Sequence, residues 1–202
     1  MITKEELASR FLHACDEVIA SERELTEIDS HFGDADHGLT MVKISNAIRK
    51  AVEEADGGIQ EMLDDVAMAV MVLNGGSAVP LWNTWLDGLQ EVAPEGNEVD
   101  AAQLKAMFAN ALEELSDMSG AEVGDKTMMD AVIPASEAIA ACDGDEATLF
   151  DAAAKAAEEG AENTKNFVSK FGRAKSYGEK TIGTPDAGAV SMARFFKGLA
   201  QA

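Results

Sequence analysis

The chain has 202 residues, 37 acidic against 16 basic, giving a formal charge of −21 and a pI near 4.3. Such a length suits one domain, here 1–202, with a sizeable core, and so negative a chain without a Lys/Arg cluster excludes a nucleic-acid surface, which needs a basic stripe. No apolar run approaches the ~18–20 residues that cross a bilayer, so no membrane contact is expected.

The first residues, MITKEELASRFL, lack the basic-then-apolar order of a secretory leader. Thr3 and Glu6 instead form a capping-box pattern. Leu7, Phe11, Leu12, Cys15, Val18 and Ile19 then recur at helical period, which predicts a helix over 3–20. Further amphipathic stretches predict helices at about 37–55, 58–73, 78–91, 101–118, 126–142, 146–169 and 186–201, punctuated by Gly- and Asp-rich joints. With no sustained alternation of period two, the expectation is an all-α fold of eight helices. Residues 171–188, FGRAKSYGEKTIGTPDAG, hold four glycines and a proline and read as a long functional loop. Cys15 and Cys142 lie in apolar contexts without paired spacing, as expected of reduced thiols in a cytoplasmic protein.

Residues 29–38, DSHFGDADHG, carry the strongest chemical signal. Asp29, Asp34 and Asp36 would repel one another in a loop unless a cation sat among them. Oxygen donors without cysteine suit a hard ion such as Mg²⁺, which commonly bridges to phosphates. The alternative is a solvated acidic turn with Asp36 capping the next helix. A calcium loop fails on register, because the twelfth position from Asp34 is Ser45 where a Glu is required. His37 stands either as a phosphate donor at a helix start or as a local cap. His31 and His13 are weaker candidates.

Three further segments leave alternatives open. NGGSAVPL, residues 74–81, places glycines before a helix start, as either a close backbone approach to a phosphate or an ordinary turn. GAEVGDKT, residues 120–127, resembles a phosphate loop, but Asp125 breaks the required spacing and no strand precedes it. Arg173 and Lys180 offer phosphate contacts or surface ion pairs, Asp186 a ribose contact or a helix cap, and Met129 a core position or the edge of a base pocket.

Taken together, LTEIDSHFGDADHGLTM, GGSAVPLW, GDKTMMDAVIPA and GRAKSYGEKTIGTPDAGAVS resemble, in order and over about residues 4–200, the nucleotide-binding L subunit of bacterial dihydroxyacetone kinase. The resemblance implies an up-and-down barrel of eight antiparallel helices with nucleotide-binding loops at one end. It also implies ADP or ATP with two Mg²⁺ held by Asp29, Asp34 and Asp36, and nucleotide contacts from His37, Thr40, Gly76, Ser77, Ala78, Met129, Arg173 and Asp186. The implied activity is phosphate transfer to a small ketose held on a partner K subunit. The ADP would be rephosphorylated by a histidine-bearing M subunit of the phosphotransferase system. An exchanging ATP donor, or a regulatory module without catalysis, are the alternatives. Two loops depart from the family pattern: GGSAVPL stands for G-G-A-S-G-P-L, with Val79 at a usual glycine, and IGTPDAG stands for I-G-H-Q-D-P-G.

Overall fold

A computed structural model describes residues 1–201. Among them are nine α-helices: α1 (Lys4–Ala20), α2 (Glu22–Ser30), α3 (His37–Glu54), α4 (Ile59–Met71), α5 (Ala78–Gln90), α6 (Ala101–Ser119), α7 (Met129–Ala141), α8 (Glu146–Asn163) and α9 (Ala187–Ala200). Two short strands, β1 (Ile2–Thr3) and β2 (Glu98–Val99), pair antiparallel with Ile2 opposite Val99.

The eight longer helices close a ring. Each packs on the next in the order α1, α3, α4, α5, α6, α7, α8, α9, and α9 returns to α1. Neighbours run antiparallel: Gln60 bonds the Gln90 carbonyl while Asn83 bonds that of Ala67, and Asn110 reaches Gly88 while Thr84 reaches Met118. Short connections between amphipathic helices produce this up-and-down arrangement. Few aromatics are available, and most meet inside the ring, where Trp82, Trp85, Phe108, Phe195 and Phe196 pack with centroids 5.2–6.0 Å apart. Elsewhere helices approach through small residues: a Cβ on Gly198 would lie 2.3 Å from the Ala14 Cα.

The sequence reading and the structure differ at three places. The ninth helix, α2, buries only Leu25 fully and so carries little periodic signal. Helix α7 begins at Met129, later than expected, because Lys126 has a left-handed backbone (φ 62°) that no helix admits. Helix α8 stops at Asn163; 3-10 turns follow over Thr164–Asn166 and, inside the expected loop, over Arg173–Thr181.

The two ends of the ring are unlike. At one end Lys4 donates to the Ala55 and Gly57 carbonyls at 2.8 and 2.6 Å, the Ile59 amide bonds Gly96, and the terminal amine pairs with Glu146. At the other end the α2–α3, α4–α5, α6–α7 and α8–α9 connections surround a cleft of about 560 Å³. Among the described residues no helix is long and apolar enough to cross a membrane.

Candidate functional site

The acidic cluster forms one wall of the cleft. Asp29 comes from the last turn of α2, whereas the sequence reading placed it in a loop; Asp34 and Asp36 follow in the turn before α3. One carboxylate oxygen from each lies within 4.8 Å of the other two. The turn is built for this meeting. A Cβ on Gly33 would stand 2.0 Å from Asp29 Oδ1, Ala35 takes a left-handed backbone (φ 61°), and Asp29 Oδ2 accepts from the Asp36 and His37 amides at 3.1 and 3.4 Å.

Asp36 is the first residue of the α3 boundary but makes no side-chain cap, so the capping alternative fails. Burial, and then the neighbouring Asp34 and Asp29 carboxylates, hold its carboxyl above the usual range. Positive charge already answers this cluster at one point, since the Arg173 guanidinium lies 2.5 Å from Asp34 Oδ2. Arg173 is exposed and comes from the α8–α9 connection beside the α2–α3 turn, so its surface-pair alternative and its place beside the aspartates are both realised. Three converging carboxylates without a thiol fit a hard divalent cation.

The start of α5 forms a second wall. Gly76 and Ser77 are exposed, Ser77 makes no side-chain cap, and a Cβ on Gly76 would meet open space. The Ala78 and Val79 amides, the first-turn donors of α5 because Pro80 carries none, have no side-chain cap at the edge of the cleft, a setting that favours anions. A Cβ on Gly75 would press within 2.8 Å of Thr40 and Val79, and this close contact fixes the approach of α5 to α3. Val79 itself is buried within regular helix and is not among the positive-φ residues.

His37 is half-buried, and its Nε2 lies 3.1 Å from Ser191 Oγ. Ser191 Oγ donates to the Gly188 carbonyl at 2.8 Å, which leaves the imidazole as the donor in the pair. Burial pushes the imidazole below its usual range, against the Asp29 carboxylate and an Ala187 backbone bond that raise it. This ring atom is engaged by α9, contrary to the reading of His37 as a free phosphate donor.

Asp186 caps α9: its Oδ2 accepts from the Ala189 amide at 2.8 Å, while its own amide bonds Thr164 Oγ1 at 2.9 Å. Burial raises its carboxyl to about 7. Met129 is fully buried at the start of α7, a core position that also floors the cleft.

All eleven candidates, Asp29, Asp34, Asp36, His37, Thr40, Gly76, Ser77, Ala78, Met129, Arg173 and Asp186, line this one cleft. His31 is exposed beside Phe32, and His13 lies far away near Gln201. Sequence reasoning missed Ser191, Lys126 and Asp130. Asp130 is buried and accepts from the Gly124 and Thr127 amides at 2.6 and 2.8 Å, shaping the turn before α7. Lys126 and Asp130 lie in GDKTMMDAVIPA and Ser191 ends GRAKSYGEKTIGTPDAGAVS, but beyond a helix-capping reading of Lys126 their local spacing assigned them no role.

The DAK2 domain model matches residues 31–201. The D-erythrulose kinase of Mycolicibacterium smegmatis is 36% identical over 194 residues, covering 93% of this chain and 33% of that protein. The chain thus spans about a third of the length of several curated relatives. By contrast, the ADP-binding subunit DhaL of the PEP-dependent dihydroxyacetone kinase of Escherichia coli is 30% identical over 197 residues, covering 95% of this chain and 94% of that subunit. In fold the chain is similar to the crystal structure of the dihydroxyacetone kinase from C. freundii in complex with AMP-PNP and Mg²⁺, with TM-score 0.74, 24% identity, and coverage of 96% of this chain and 33% of that one. The chain belongs to the DAK2 domain family.

Proposed function

We propose that this chain is a Mg-nucleotide-binding kinase subunit that passes phosphate to a small ketose held on a partner K subunit. In this reading ADP stays bound and is rephosphorylated by an M subunit of the phosphotransferase system. The observation that carries the reading is the convergence of three carboxylates on the same cleft as the uncapped start of α5 and the Arg173 guanidinium. The E. coli relative of nearly equal length is named as an ADP-binding subunit, and the longer relatives as erythrulose kinases, which supports a three- or four-carbon ketose.

Asp29, Asp34 and Asp36 would hold two Mg²⁺, whose charge offsets that of the carboxylates and phosphates and polarises the transferring phosphoryl group. The amides of Gly76, Ser77 and Ala78 would receive phosphate oxygens, and Arg173, beside Asp34, would neutralise charge at the phosphates. Thr40 and Met129 floor the cleft, while His37 and Asp186 hold α3 and α9 in register around it. The whole of 1–202 acts as one nucleotide-binding domain in the cytoplasm; closure of the ring by α1 and α9 supports the first part of that reading. The regulatory alternative drew on the altered GGSAVPL loop, and the ordinary helical setting of its Val79 gives that alternative no support.

Reconstitution with K-type and M-type partners tests the proposal. Phosphorylation of dihydroxyacetone or erythrulose from phosphoenolpyruvate, dependent on the M subunit, is expected. Persistent Mg-ADP binding without ketose phosphorylation from either phosphoenolpyruvate or ATP would overturn the catalytic part.

A further inference from the structure

Lys126 is a buried cation, 4% exposed, on a backbone conformation that disfavours any side chain. Its Nζ donates to four backbone carbonyls: Thr181 and Thr184 at 2.6 Å each, Thr164 at 2.8 Å and Phe167 at 3.2 Å. Thr164 and Phe167 stand where the α8–α9 connection begins; Thr181 and Thr184 stand where it ends. One nitrogen therefore closes the base of the segment that carries Arg173 and leads into Asp186. An ammonium has three protons, so the four carbonyls share them, a coordination resembling that of a monovalent metal ion. The Asp186 and Asp130 carboxylates lie near enough to favour the charge, which offsets part of the cost of burying it.

We propose that Lys126 is a positioning residue: its ammonium acts as a built-in monovalent cation that clasps the base of the 164–184 loop and thereby sets where Arg173 and Asp186 stand on the cleft. Without it, four carbonyl dipoles would point at one buried spot with no donor, an arrangement that opens the loop rather than persists. The segment's other ties lie toward its two ends and its tip: Gly183 bonds the Lys165 carbonyl at 2.7 Å, Ser169 bonds Thr181 Oγ1 at 3.0 Å, the Asp186 amide bonds Thr164 Oγ1 at 2.9 Å, Lys170 bonds Asp125 through backbone and side chain, and at the tip Arg173 pairs with Asp34 while Tyr177 packs on Phe32. The consequence for ligand binding rests on the Mg-nucleotide reading of the cleft; the clasp itself does not.

The test uses Lys126→Ala, whose missing atoms n-propylammonium replaces, and Lys126→Met, which keeps an apolar stem without the charge. Amide exchange of the nucleotide-free chain should accelerate over 165–184 in both variants and stay at the wild-type rate in α1, α4, α5 and α6. Mg-ADP affinity by calorimetry should fall by about ten- to a hundredfold, the range expected when a support behind a metal site is removed. Added n-propylammonium should restore both readouts in Lys126→Ala, and n-propanol neither. Wild-type exchange over 165–184 in either variant would overturn the proposal. So would equal rescue by propanol, or loss of helical structure throughout in both variants, since Lys126 would then be filling space or holding the whole fold. If the wild-type chain binds no Mg-ADP, the nucleotide reading falls, and the exchange data still decide the clasp.

Discussion

At the closed end of the ring, α1, α6 and α8 each begin with a side chain folded back onto the first turn. Thr3 and Glu6 form a complete capping box, Asp100 and Gln103 another, and Asp145 caps the Thr148 amide. At the cleft end, α3 and α5 begin at Asp36 and Ser77, and neither side chain caps its helix. Both residues are good cap formers, so the difference is one of arrangement, not composition. The Asp36 carboxylate is turned toward Asp34 and Asp29, and the Ser77 turn faces open space. The closed end satisfies its own backbone; at the cleft end Asp186 caps α9, but the starts of α3 and α5 keep carboxylates and amides available for a ligand, at a cost to the metal-free protein from like charges held together.

Substitutions at the two ends should therefore separate binding from stability. The largest effect is expected for Asp34→Ala or Asp36→Ala: Mg-dependent ADP retention should be lost by calorimetry while helical circular dichroism is unchanged. Retained binding in either variant would break the metal assignment. In the packed body, Gly198→Val forces a side chain against the Ala14 backbone and should destabilise the fold by about 3 kcal/mol in urea unfolding. Gly33→Ala, which crowds Asp29 Oδ1, should do the reverse, weakening Mg-ADP by about tenfold or more with the urea midpoint unmoved. Thr3→Ala removes a cap at the closed end and should cost about 1 kcal/mol of stability with no change in nucleotide affinity.

The smallest effect concerns pH. Because the folded Asp36 carboxyl sits above its unfolded value, the folded metal-free chain keeps a proton that the unfolded chain has released. Its stability contribution therefore falls as pH rises from the ordinary carboxylate range through the raised value. Mg²⁺ competes with that proton, so its stabilising effect in thermal melts should be larger at neutral pH than at a pH inside this window. A Mg²⁺ effect independent of pH across this window would show that Mg²⁺ displaces no proton from Asp36.

The eight ring helices were legible because each buries a periodic apolar face over three or more turns, and the acidic site because its aspartates lie within eight residues, 29–36. What was not legible depends on partners distant in sequence. Lys126 meets carbonyls 38 to 58 residues away, and His37 meets Ser191 at a separation of 154, so no local spacing announces either. Helix α2 was missed for a different reason: its nine residues are mostly polar, and it is held mainly by packing against α3 and α9. In GDKT the broken spacing and the missing strand ruled out a phosphate loop from sequence alone, but nothing local showed that the lysine turns inward to the protein's own carbonyls.

The central claim is that the cleft holds a Mg-nucleotide as a resident group. Native mass spectrometry of the freshly purified chain, with and without a chelator, tests it most directly. An added mass equal to one ADP and two Mg²⁺, lost on chelation, is the predicted result; a bare chain that gains no such mass when Mg²⁺ and ADP are supplied would contradict it.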